Sequence, residues 1–284
     1  MNTPSSSAFN TSSWFKRHSV VLYFVLAYAV TWSIHIPVAL SARGLIAAQV
    51  PLAMHYLGSF GPMTAALILT GITEGGAGIR TLLGRLLKWR VDFRYYAFAV
   101  LAPVGLFGIA VLLNRVLTGA WSNLSLLGEA DYLPYLGPLG VLGLWFLTYG
   151  LGEETGWRGF ALPRLQRTRP AASATLILAL PWAFWHVPAF FYRETYIEMG
   201  IFGFPMFLVS IIFAAMVFTW IYNGTGGSLL LVVLFHAFFN WLTVSEAGGQ
   251  FVAVLMSAPV IVWAIYVVRR YGPENAAPVQ KQVT

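Results

Sequence analysis

The chain has 284 residues, of which 58% are hydrophobic and 16% aromatic, and its mean hydropathy is +0.71. Only 10% are charged, too few to clothe a soluble domain of this size, so a water-soluble globular protein is excluded. The net charge of +7 sits at the flanks of apolar runs, the orienting pattern of membrane proteins, which removes nucleic acid as a partner; the lack of cysteine removes thiol nucleophiles, disulfides and thiolate metal sites.

Residues 1–18 open Ser-, Thr- and Asn-rich and read as a disordered tail. Lys16, Arg17 and His18 then precede an apolar run longer than that of a signal peptide, which predicts a retained first span. Eight segments are long enough to cross about 30 Å of hydrocarbon. They run approximately 20–41, 50–72, 95–117, 136–161, 172–192, 201–222, 228–246 and 249–268. Between the second and third, the leucines of "RTLLGRLLKWRVDFR" (Arg80 to Arg94) recur at helical spacing opposite Arg85, Lys88 and Arg90, which predicts a helix lying at the interface. "NGTGGS", Asn223 to Ser228, reads as a tight turn between spans, not as a phosphate loop, since no lysine follows. The expected fold is all-α: a polytopic membrane bundle of about eight transmembrane helices forming a single domain over 19–270, then a flexible tail over 271–284. With eight spans, all Lys and Arg except Arg43, Arg115 and Arg193 fall on one side, which predicts both termini in the cytoplasm.

The fourth span carries charges where charge is expensive. "GEETGWRGF" sets Glu153, Glu154 and Arg158 within six residues, and a charge near a span's centre costs about 2.5–3.5 kcal/mol on insertion scales. Glu154 and Arg158 are an i,i+4 pair able to neutralise each other. Glu153 points about 100° away and has no local partner, the condition in which a carboxylate becomes a general base. The fifth span places His186 between Pro181 and Pro188, prolines that free backbone groups. The seventh stacks His236 and Asn240 at i and i+4. Counting about 1.5 Å per residue, Glu153, His186 and His236 all lie in the middle or inner bilayer, so one wet cavity can hold them with Asn240. Trp182 and Trp185 are candidates for a cleft wall. His35 and His55 lack charged company and read as packing groups, and Arg193, Glu194 and Glu198 read as an exposed outer loop. Two other classes fit buried charge: an ion- or proton-coupled transporter, and a non-catalytic immunity or scaffold protein.

These motifs resemble the CAAX protease and bacteriocin-processing family of membrane enzymes, which includes the type II CAAX prenyl endopeptidases. Glu153, Glu154 and Arg158 match its Glu-Glu-x-x-x-Arg motif, and Gly159-Phe160 continues the likeness. His186 matches Phe-x-x-x-His with Trp182 in the Phe position, and His236 with Asn240 matches His-x-x-x-Asn. The resemblance covers about 130–250 and implies an intramembrane endopeptidase of a prokaryotic plasma membrane, acting on a prenylated protein or another peptide delivered by the membrane. It implies that Glu153 with His186 activates water, that His236 and Asn240 hold the oxyanion, and that Glu154 and Arg158 orient the site. A competing view of the family makes Glu153, His186 and His236 ligands of zinc; this chain has no His-Glu-x-x-His element that would force a metal.

Overall fold

The computed structural model describes residues 11–248 and 252–284. Eight helical segments follow one another: α1 (Thr11–Ala42), α2 (Gly61–Gly84), α3 (Phe93–Thr118), α4 (137–166), α5 (Ala171–Trp185), α6 (Gly203–Gly224), α7 (Leu229–Val244) and α8 (Val252–Asn275). No strand occurs among the described residues. Six of the segments, all but α4 and α7, lie in helices long and apolar enough to cross a membrane. The chain is therefore a polytopic helical membrane protein.

The two expected spans that miss this measure do so for different reasons. α7 has 16 residues, about 24 Å of helix against about 30 Å of hydrocarbon. α4 is broken internally: α-helix over Gly137–Trp145 passes into π-helix over Phe146–Glu153, and a second π stretch covers Trp157–Ala161. Such stretches mark places where tertiary contacts outcompete regular i→i+4 bonding, and they are frequent at functional sites. The glycines of this segment show what the contacts are. A Cβ at Gly152 would stand 2.6 Å from the Ser59 carbonyl oxygen, and one at Gly156 would strike Pro62. α4 is thus pressed against the start of α2 more closely than any side chain allows.

Bundle contacts elsewhere follow the membrane rule that small residues let helices approach. Ala27, Ala65, Ala66, Ala161, Ala179 and Ala215 are wholly buried. Aromatic pairs fill what remains, among them Tyr23 stacked on Phe160 at 5.1 Å.

The expected interfacial helix is only partly present. Gly75, at φ 66° and ψ −163°, breaks α2, and helix resumes to Gly84 with a 3-10 turn over Arg85–Leu87. Lys88–Asp92 is irregular because its groups are claimed elsewhere: Lys88 Nζ donates to the Gly226 carbonyl at 2.6 Å, and the Lys88 carbonyl accepts from the Ser228 hydroxyl. Asp92 then caps α3 by accepting from the Arg94 amide. The turn between α6 and α7 forms where "NGTGGS" predicts it, with Gly226 and Gly227 at positive φ.

Residues 1–10 lie outside the described residues, and 11–18 belong to α1. Beyond α8, the chain folds back on the bundle. Gln166 and Asn223 exchange amide hydrogen bonds of 2.8 and 3.1 Å, Gln166 also donates to the Gln282 carbonyl, and Asn223 accepts from the Gln282 amide.

Candidate active site

The charged residues of α4 pair in an arrangement that their spacing foreshadows. Nη1 of Arg158 donates to both carboxylate oxygens of Glu154, at 2.9 and 3.0 Å, and both side chains are fully buried. A bare pair at that depth would not recover its desolvation cost. Here other groups share it. Nδ1 of His236 lies 2.8 Å from Glu154 Oε1. The guanidinium, whose Nε and Nη2 find no acceptor among the described residues, lies over the faces of Trp182 and Phe218 at 4.2 and 4.4 Å. A desolvated cation–π contact is worth about 2 kcal/mol.

Glu153 turns to a different neighbour, as its position one residue earlier requires. Its Oε2 accepts from the indole Nε1–H of Trp182 at 2.8 Å, and the residue is 2% exposed. That is its one hydrogen bond among the described residues. His186 closes α5, where Pro181 and Pro188 flank the end of regular helix. Its Nδ1 bonds the Trp182 carbonyl at 2.8 Å, and Phe207 packs on its ring at 4.9 Å.

The acceptors fix two tautomers. A carbonyl oxygen can only accept, so His186 carries its proton on Nδ1 and presents a lone pair on Nε2. A carboxylate paired to arginine likewise only accepts, so His236 donates from Nδ1 and its Nε2 is free.

Trp182 is therefore the centre of the cluster. Its N–H meets Glu153, its ring face meets Arg158, its carbonyl meets His186, and its ring lies 5.9 Å from that of His236 at 81°. Spacing within the sequence brings none of this to light, because Trp182 and Glu153 are 29 residues apart. Trp182 and Trp185, the candidate wall residues, are each 2% exposed and packed against Trp157 and Phe218. Asn240 lies one turn beyond His236, partly exposed, and bonds none of the other residues of the cluster.

The zinc reading meets a geometric obstacle. Among the described residues no three His, Asp or Glu side chains converge as ligands. Oε2 of Glu153 is turned to an indole, whereas the Nδ1 bonds of His186 and His236 are no obstacle, since each leaves Nε2 open. The expected wet hollow also differs. A cavity of about 340 Å³ does lie beside the cluster, but Phe98, Leu106, Phe235, Phe239, Pro259 and Trp263 line it, and none of the charged residues reaches it.

A second polar cluster escaped the sequence reading. Arg193, expected in an exposed loop, is 4% exposed and ion-paired to Asp131 at 2.6 Å. His55 bridges the hydroxyls of Tyr192 (2.6 Å) and Tyr149 (3.0 Å), while His35 stacks on it at 4.8 Å and bonds its carbonyl. These histidines have polar company after all. It comes from 94 and 137 residues away in sequence for His55 and from 20 for His35, which is why no local signal discloses it. Glu194 and Glu198 are exposed as expected. Tyr149 joins the clusters, since its ring lies parallel to that of His236, 6.4 Å away.

Comparison with known proteins selects the same region. Residues 135–242 match the family described as Type II CAAX prenyl endopeptidase Rce1-like. CAAX prenyl protease 2 of Methanococcus maripaludis is 22% identical over 230 residues, which span 79% of this chain and 83% of that protein. The chain is thereby similar to the type II CAAX prenyl endopeptidases, through the span that holds its three motifs.

Proposed function

We propose that this protein is an intramembrane endopeptidase that hydrolyses a peptide bond near the prenylated, CAAX-type C-terminus of a membrane-delivered substrate, from the cytoplasmic side of a prokaryotic plasma membrane. The observation that carries the reading is Glu153: a carboxylate buried among helices, held by one indole N–H, beside a neutralised Glu154–Arg158 pair. An acid kept at that cost, with two imidazole Nε2 atoms left free nearby, suits general-base work.

In the proposed reaction Glu153, aided by Nε2 of His186, takes a proton from water as the water oxygen attacks the carbonyl carbon. The carbonyl oxygen becomes an oxyanion, which the Asn240 amide and the Nε2 side of His236 hold. For that, Nε2 of His236 must carry a proton while Nδ1 keeps its bond to Glu154. The C–N bond then breaks, and the proton taken from water passes to the leaving amine. Arg158 and Glu154 orient His236 and take no part in bond making. The reaction proposed runs through water and the carboxylate.

Purified protein in liposomes, given a farnesylated CAAX-terminated peptide, tests the reading by mass spectrometry of the products. Cleavage is expected from the wild type. Glu153→Gln, with unchanged thermal unfolding, is expected to lose at least about 10³-fold in rate, roughly 4 kcal/mol of barrier. Equal cleavage by the two proteins would overturn it.

A further inference from the structure

We infer that Trp182 is the positioning residue of the Glu153 carboxylate, acting through its indole N–H. The inference rests on the reading of Glu153 as the base, and adds to it a residue at which this chain departs from the Phe-x-x-x-His pattern it resembles.

Three observations carry it. First, the donor is aimed and exclusive: Nε1 lies 2.8 Å from Oε2, and the carboxylate has no other hydrogen-bond donor among the described residues. A carboxylate with one oxygen tethered has its rotation about the last bond fixed, so that Oε1 is the oxygen presented to water. Second, the donor is itself immobilised. The indole is 2% exposed, clamped edge-on by Phe218 at 5.7 Å and covered by the Arg158 guanidinium at 4.2 Å. A rotamer held by both contacts transmits position without loss to slack. Third, the other buried indoles nearby do nothing comparable. The N–H groups of Trp157 and Trp185 have no acceptor among the described residues. Bulk and aromaticity therefore explain those two, whereas Trp182 alone of the three uses its N–H.

A phenyl ring at 182 would keep an aromatic wall, a face for Arg158 and the backbone carbonyl for His186, while removing the donor and part of the ring volume, which the cycle below separates. Within that cycle Trp182→Phe isolates the inference. A hydrogen bond to a charged group is worth enough that its loss from a reacting carboxylate lowers kcat about tenfold to a hundredfold. KM is expected to stay within twofold, because the indole touches the base and not the substrate.

The test is a cycle with Glu153→Asp, whose carboxylate is one methylene too short to reach the indole. In that background Trp182→Phe is expected to cost nothing further. A merely structural tryptophan would cost the same in both backgrounds, which overturns the inference. So does an unchanged kcat in Trp182→Phe, or a raised KM with kcat intact, which marks a substrate contact. The indole ¹⁵N–H resonance of Trp182 supplies a readout independent of turnover, and of the folding of the Phe variant. It is expected to move in Glu153→Gln; an unmoved resonance overturns the inference. Should the resonance move while Glu153→Gln still cleaves, the bond stands and the assignment of the base falls.

Discussion

The molecule contains two buried clusters built around an arginine, and they are solvated by the protein in opposite ways. Arg158 belongs to a compact set in which one helix supplies both partners, four residues apart, and the neighbours are aromatic faces. Arg193 belongs to an extended set whose members come from several segments, and the neighbours are hydroxyls and a carboxylate still reached by solvent. Asp131 keeps 36% of its side chain exposed, whereas Glu154 keeps none. The first arrangement holds a charge where it cannot be rehydrated and so fixes neighbouring groups firmly. The second ties loops and helix ends together, and can relax if a member is lost. Chemistry that needs a carboxylate at a fixed place is better served by the first.

The sharpest way to break this contrast is the loss of Glu153, expected to abolish cleavage while leaving both arginine pairs intact. Next comes Arg158→Met, which leaves the fully buried Glu154 without its guanidinium partner. A loss of about 3–5 kcal/mol of stability is expected in denaturant unfolding of the detergent-solubilised protein. The double variant Glu154→Gln, Arg158→Met should recover most of that, since no orphan charge remains. For Arg193→Met the expected loss is smaller, about 1–3 kcal/mol, because Asp131 can turn to water. Cleavage by this variant should remain within fivefold of wild type; a collapse would show that the outer cluster works through Tyr149 on the site. The smallest effect is expected from 1,10-phenanthroline. With no three ligands converging among the described residues, the chelator should change the rate by less than twofold.

Much of the architecture is legible from hydropathy alone, because lipid leaves backbone groups no partner but the helix itself. The segments around Tyr23, Ala99 and Ile211 are apolar for long enough to permit only one reading. The charges of α4 are legible for the converse reason: Glu153, Glu154 and Arg158 make no sense in an apolar run unless something holds them. What could not be read is partnership at a distance. That Trp182 spends its N–H on Glu153, or that Arg193 finds Asp131, depends on packing between helices, to which a one-dimensional pattern is blind. Nor does the pattern show that Gly75 breaks α2, since glycine is common within membrane helices and bends only some of them.

The π-helical stretches that bracket Glu154 carry an implication for how this protein can vary. A π turn closes i→i+5 instead of i→i+4, so each stretch accommodates an extra residue in the winding of α4. Deleting one residue between 146 and 152 would let ordinary winding resume there while the residues beyond keep nearly their present facing, because a π turn takes up one residue more than an α turn over the same rotation. Glu154 would stay turned to His236, and Glu153 to the indole. Substitutions along this stretch can be absorbed by repacking, and so can the loss of its extra residue, so lineages descended from this chain are expected to carry their single-residue gaps in α4 at the π stretches and not in its regular turns.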